Sequence, residues 1–166
     1  FVTVKNAIAD MAPFTFIAIR FAVAFVFMSL FCCKKLISLR GRDWIPGILV
    51  GLFLFAGYSF QTLGLQYTTA SNAGFITGLS VVLVPLICSA INRELPSPMV
   101  VVGAVLAGVG IGFLSLSHGY TYNYGDILVL MCAVSFALHI IAVGRYAYAM
   151  DATVLASIQI GVVAVC

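Results

Sequence analysis

The scarcity of charged residues is the feature that most constrains how this chain folds. Only 8% of its residues are charged, whereas 63% are hydrophobic, and the mean hydropathy is +1.19. A soluble domain carries about 25% charged and about 45–50% apolar residues. So few charges cannot give a folded chain a surface that water solvates, and they cluster so that long stretches carry none. The sequence therefore predicts an integral membrane protein.

Charged and turn residues divide the sequence into about six apolar segments. The predicted spans cover residues 14–33, 45–66, 72–91, 99–117, 127–146 and 152–166. Five are close to the about 20 residues that a helix needs to cross a bilayer core. Helix-start residues precede several of them, among them Asp43, Ser97, Asp126 and Asp151. Since a span in lipid must satisfy its own backbone hydrogen bonds, we predict an all-α, polytopic transmembrane bundle.

Basic residues occur in every second connection between these spans. They are Lys34, Lys35, Arg40, Arg42, Arg93 and Arg145, whereas connections 67–71 and 118–125 contain no Lys or Arg. Because cytoplasmic loops carry an excess of Lys and Arg, loops 34–43, 92–97 and 145–151 are predicted to face the cytoplasm. Loop 118–125 is then external, and the protein is a multi-pass protein of the cell membrane.

Small residues four apart predict close helix packing within the bundle. These positions are Gly47 and Gly51, Gly74 and Gly78, and the series Ala104, Gly108 and Gly112. The net charge of +3 is too small and too scattered for nucleic-acid binding. The predicted partners are a small-molecule solute and the lipid bilayer, and a homodimer stays an open alternative.

A weak internal repeat appears when the sequence is shifted by about 139 positions. Residues 140–143 then fall on residues 1–4, and Gln159 falls on Arg20. The two connections that follow lie on opposite sides of the membrane by the charge pattern. Oppositely inserted repeats are typical of secondary transporters.

Several longer stretches resemble a known family. They are PFTFIAIRFAVA at residues 13–24, GYSFQTLGLQYTTASNAGFITGLSVVLVPL at 57–86, NRELPSP at 92–98 and GDILVLMCAVSFALHIIAVGRYA at 125–147. In these the chain resembles the EamA-type permeases of the drug/metabolite transporter superfamily. The resemblance implies ten spans in two inverted five-helix repeats. Residues 1–117 then hold most of the first repeat (the end of its first span plus four spans), 118–125 form an external loop, and 126–166 begin a truncated second repeat. The ends at Phe1 and Cys166 accordingly suggest a fragment.

Arg20 is the most conspicuous polar residue inside a predicted span. A charge at mid-span costs about 2.5–3.5 kcal/mol on insertion scales, and such residues usually mark functional sites. Two interpretations stay open. Arg20 either binds backbone carbonyls or a neighbouring helix, or it takes part directly in solute binding or proton coupling.

Other polar side chains in the spans complete the set of candidate solute-binding residues. With Arg20 they are Tyr58, Gln61, Asn72, Thr77, His139 and Gln159. Hydroxyl and amide groups orient polar solutes, but they also hydrogen-bond between helices. His139 fits a satisfied interior histidine as well as a proton relay. Gln159 is included as the repeat partner of Arg20.

The function predicted from these features is secondary transport, or export, of small metabolites or drugs across the cytoplasmic membrane. The sequence contains none of the familiar hydrolase, metalloprotease or nucleotide-binding motifs, so we predict no enzymatic activity, no cofactor and no metal. The five cysteines lie in apolar segments, as small fillers do. The alternative is an intramembrane enzyme acting on lipid-linked substrates, which needs acidic or His/Ser clusters at a membrane surface. A membrane scaffold fits poorly with a polar interior.

Overall fold

A computed structural model describes residues 1–37, 44–116, 123–148 and 150–166 of the chain. These residues form helices α1 Val2–Asp10, α2 Pro13–Ile37, α3 Trp44–Tyr67, α4 Ala70–Gly78, α5 Ser80–Asn92, α6 Pro98–Leu116, α7 Tyr124–Tyr146 and α8 Ala152–Val165. The described ranges contain no strand, so the all-α prediction is confirmed. Most of the predicted loops 34–43 and 118–125 lies outside the described residues.

Four helical stretches are long and apolar enough to cross a membrane. They are Pro13–Leu30, Trp44–Tyr67, Ala70–Asn92 and Tyr124–Tyr146. The apolar stretches Pro98–Gly110 in α6 and Ala152–Val165 in α8 are shorter. Each predicted span corresponds to one of these stretches, which confirms a polytopic helical membrane protein.

The span predicted over residues 72–91 is interrupted at Leu79. It consists of α4 and α5, which meet at Leu79, where the amide N–H donates to the Ile76 carbonyl at 3.1 Å instead of reaching one residue further back. Pro85 lies inside α5. Proline has no amide hydrogen and its ring crowds the carbonyl of Val81, so it weakens regular helical hydrogen bonding in the preceding turn. The interruption at Leu79 lies within two turns before Pro85.

Capping side chains fix where three of the helices begin. The Thr69 side chain accepts a hydrogen bond from the Asn72 amide at the start of α4, and Asp151 accepts one from Thr153 at the start of α8. Helix α7 starts earlier than the predicted signal at Asp126, because Asn123 accepts from the Gly125 amide. Asp126 thus lies in the first turn of α7, where a carboxylate is favourable.

Helix α3 is central, and it packs against α7 and α8, while α2 also packs against α8. Helices α3 and α7 run antiparallel, so that Thr68, just after α3, lies beside the first turn of α7. We call this side the Thr68 end and the opposite side the Arg145 end. Buried clusters line α3, with Leu65 and Val129 towards the Thr68 end and Val50 and Ala142 towards the Arg145 end.

Candidate functional site

The contact between α3 and α7 is exceptionally close, because glycines, which have no side chain, lie along it. A Cβ added at Gly57 would lie 2.5 Å from the Phe136 ring, and one at Gly64 would lie 2.6 Å from Val129. At Gly125 it would lie 2.7 Å from the Gly64 carbonyl oxygen, so two backbones meet there. Small residues permit this approach in membrane helices. It brings polar side chains of α3 and α7 within reach of one another.

Three polar side chains from α3, α4 and α7 meet beside this contact. Gln61 Nε2 donates to Thr77 Oγ1 at 3.4 Å, a long hydrogen bond. The Cys132 thiol of α7 lies close to both side chains. Gln61 is 9% exposed and Cys132 is fully buried. We call Gln61, Thr77 and Cys132 the polar cluster, and it lies about 10 Å inside the Thr68 end at about 1.5 Å per helical residue.

Two further polar atoms near the polar cluster are buried without a partner among the described residues. Asn72 is 8% exposed, and its Oδ1 accepts no hydrogen bond there. It lies on α4 between the Thr68 end and Thr77. The Oγ of Ser59 on α3 is in the same situation. A buried polar group without a partner is unfavourable by about 1–3 kcal/mol, so both atoms are suited to accept a hydrogen bond from a solute or from water.

Arg20 lies against an aromatic group rather than against the polar cluster. Its guanidinium carbon is 5.4 Å from the centroid of the Tyr58 ring and 5.7 Å from that of Phe21. Tyr58 in turn contacts the Phe136 ring edge-on, with centroids 5.3 Å apart. Such cation–π contacts hold the charge at a fixed position, and the rest of the Arg20 side chain is exposed on α2. Tyr58 connects this group to Gln61, one helical turn along α3.

His139 and Gln159 lie apart from the other candidates, towards the Arg145 end. The Nδ1 atom of His139 is 3.1 Å from the Val50 carbonyl oxygen, a hydrogen bond when Nδ1 carries the proton. Gln159 borders Gly51, and its Oε1 is buried without a partner in the described part of the chain. Both residues are about 15 Å along α3 from Gln61. The seven candidate residues therefore lie at different heights along the axis of α3.

Cys132 is the member of this site that sequence reasoning missed, since all five cysteines were interpreted as apolar fillers. Its position four residues before Phe136 on α7 carries no special signal. Only the pairing of α3 with α7 brings it beside Gln61. Within the described ranges no group of three or more His, Cys, Asp or Glu side chains could hold a metal ion. The polar cluster offers uncharged donors and acceptors, which suit the binding of a polar solute.

Comparison with known proteins adds independent information. The model of the EamA-like transporter family matches residues 1–116. The chain is 42% identical over 157 residues to an uncharacterized transporter of Archaeoglobus fulgidus, covering 94% of the chain and 48% of that protein. It is 30% identical over 147 residues to the uncharacterized transporter YcxC of Bacillus subtilis, covering 84% of the chain and 47% of that protein. No solved structure matches significantly. The chain thus spans about half the length of these relatives.

Proposed function

We propose that this chain, which belongs to the EamA-like transporter family, is part of a secondary transporter that carries small metabolites or drugs across the cytoplasmic membrane. The solute passes between α3, α4 and α7, where the polar cluster binds it. The observation that carries the proposal is the meeting of Gln61, Thr77 and Cys132 from three helices inside an otherwise apolar bundle. Both relatives are also named transporters.

The chemistry of the polar cluster supports weak and reversible binding. The hydrogen bond between Gln61 and Thr77 is long, so a solute group can replace either partner with little loss. Asn72 adds an unsatisfied acceptor between the Thr68 end and Thr77. Release requires that no single interaction be very strong, and neutral hydrogen bonds meet that requirement because each contributes about 0.5–1.5 kcal/mol net.

Arg20 serves this transporter as a fixed positive charge beside the path. The Tyr58 ring contacts both the Arg20 guanidinium and the Phe136 ring. A substitution at Arg20 therefore also affects the ring contacts of α3 and α7. A charge retained inside a span is usually functional. In this proposal Arg20 attracts an anionic part of the solute or a coupled ion, and the aromatic rings keep its position constant.

The Arg145 end faces the cytoplasm in this proposal, with loops 34–43, 92–97 and 145–151. Lys5 is the exception to the alternation of basic loops, because it lies at the Thr68 end. Six basic residues still lie in the predicted cytoplasmic loops of the sequence, so these loops keep the excess of Lys and Arg. A cysteine at Ser38 should resist an impermeant thiol reagent in intact cells, whereas one at Thr121 should react; the reverse pattern would invert the orientation.

The direct test is uptake by proteoliposomes that contain the full-length protein. Amino acids, nucleosides and cationic drugs are supplied one at a time, with and without a proton gradient. A solute taken up faster than by empty liposomes, and not taken up by a Gln61→Leu, Thr77→Val double variant of equal abundance, supports the proposal. Equal uptake by the double variant would show that the polar cluster does not bind the solute during transport.

A further inference from the structure

The turn that joins α3 to α4 is held from two sides by other helices. The Lys5 ammonium of α1 donates to the Thr68 carbonyl oxygen at 2.6 Å, and the Thr68 hydroxyl donates to the Asp126 carboxylate of α7. The Asn123 amide donates to the Tyr67 carbonyl oxygen. We call these five residues the clasp.

The clasp is packed around Thr68, while Tyr67 lies at its exposed rim. Thr68 is only 3% exposed. A Cβ added to Gly125, next to Asp126, would lie 2.8 Å from the Thr68 amide nitrogen, so the two backbones touch. The Tyr67 and Tyr124 rings pack edge-on beside it, with centroids 6.0 Å apart. At this end the space between α3 and α7 is therefore filled.

Two of the clasp's hydrogen bonds involve charged groups, which are stronger and more directional than neutral ones. Thr68 is the link between them, because its carbonyl binds the cation of Lys5 and its hydroxyl binds the anion of Asp126. None of these three residues belongs to the polar cluster, which lies about 10 Å deeper. The clasp is therefore not needed to build that cluster.

The clasp also connects two parts of the sequence. Lys5, Tyr67 and Thr68 belong to residues 1–116, which match the family model, whereas Asn123 and Asp126 follow them in α7. In transporters with inverted repeats, one repeat moves against the other so that a central site opens to each side in turn. A contact between the two parts at one end must break whenever that end opens.

We propose that the clasp is the gate that closes the Thr68 end of the transport path, and that the structure represents the state in which this gate is closed. The inference rests on the proposed function. Opening separates Asp126 from Thr68, and water then solvates the carboxylate, the ammonium and the freed hydroxyl. Since a hydrogen bond to a charged group that is exchanged with water changes an equilibrium by about tenfold to a hundredfold, the gate can still open reversibly.

The test is the access of a reagent to Thr77 from the Thr68 end. Thr77→Cys is introduced into the full-length protein without its native cysteines, and its reaction with a membrane-impermeant thiol reagent is followed from that side. Adding Thr68→Val, which keeps the shape but removes the hydroxyl that binds the Asp126 carboxylate, should raise the reaction rate about tenfold to a hundredfold. The control Thr3→Val, at an exposed position of α1, should leave the rate unchanged. An unchanged rate with Thr68→Val in folded protein overturns the gate.

A cross-link gives a second test that does not depend on a weakened contact. In the same background, cysteines at Thr68 and Asp126 should form a disulfide under mild oxidation. If the clasp is the gate, the cross-link should make Thr77→Cys inaccessible to the thiol reagent from the Thr68 end. Reduction of the disulfide should restore access. Full access in the cross-linked protein would overturn it. Neither measurement needs a solute, so failure of the gate is distinguishable from failure of the uptake test of the proposed function.

Discussion

Helices α3 and α6 are both glycine-containing apolar helices, but their surroundings differ sharply. On α3, a Cβ at Gly47, Gly51, Gly57 or Gly64 would come within about 3 Å of a neighbouring helix. On α6, a Cβ at Gly110 would lie 2.6 Å from Phe75, but one at Gly103 or Gly108 would meet nothing within 4 Å. Much of α6 is exposed, including Val105 at 60% and Leu106 at 66%. The same small residues therefore allow a close helix contact along α3 and leave an open face on α6.

A methyl group added where the backbones of α3 and α7 meet should have the largest effect on stability. We expect Gly125→Ala to lower the free energy of unfolding by about 1–3 kcal/mol, because the new Cβ meets the backbone of α3, which cannot move alone. Thermal unfolding of the full-length protein in detergent measures it. Gly103→Ala is the matched control and should change stability by less than about 1 kcal/mol. Equal losses for both variants would mean that α6 is packed as tightly as α3.

Arg20 tests whether the aromatic group beside α3 serves transport or only folding. Arg20→Gln removes the charge and keeps hydrogen-bonding capacity, and Gln is the residue at the repeat-related position 159. We expect normal abundance in the membrane and transport reduced by about tenfold or more, because no charge remains to attract the solute or a coupled ion.

Abundance and uptake of Arg20→Gln must be measured together. Loss of the variant from the membrane would favour the structural interpretation of Arg20. Normal uptake at normal abundance would show that the charge has no function in transport.

Thr77 and Thr62 allow a comparison between a hydroxyl that bonds to another helix and a hydroxyl that bonds within its own helix. Thr77 accepts from Gln61, whereas Thr62 donates to the Tyr58 carbonyl at 2.7 Å in α3. Thr77→Val should raise the KM for the solute about twofold to tenfold, the value of one hydrogen bond. Thr62→Val should leave KM unchanged although its site is more deeply buried. A larger change in KM for Thr62→Val than for Thr77→Val would show that the solute binds outside the polar cluster.

The sequence predicts the helices well, because each span must be long, apolar and capped by polar residues. It also places Gln61 and Thr77 among the candidates, since polar residues inside spans are conspicuous. Spacing alone does not distinguish glycines at a contact from glycines on an open face. Gly74 and Gly78 are four residues apart, as Gly47 and Gly51 are. In the structure, a Cβ at Gly74 would lie 3.5 Å from Phe1 and one at Gly78 would meet nothing within 4 Å.

Contacts between distant residues are what the sequence could not provide. Cys132 joins Gln61, and Asp126 joins Thr68, only because α7 returns antiparallel along α3. No periodicity fixes that register. The interruption at Leu79 is not apparent from the sequence, because Leu79 and Pro85 lie in a continuous apolar run.

The central claim is that water and solute reach the polar cluster although Gln61 and Cys132 are buried, while the exposed face of α6 is covered by lipid or further protein. Thr77→Cys and Val105→Cys, each the only cysteine in the full-length protein in membranes, are treated with a small charged thiol reagent. Our account predicts that Thr77→Cys reacts, that a transported solute slows the reaction, and that Val105→Cys does not react despite its 60% exposure. An inert Thr77→Cys beside a reactive Val105→Cys would contradict it.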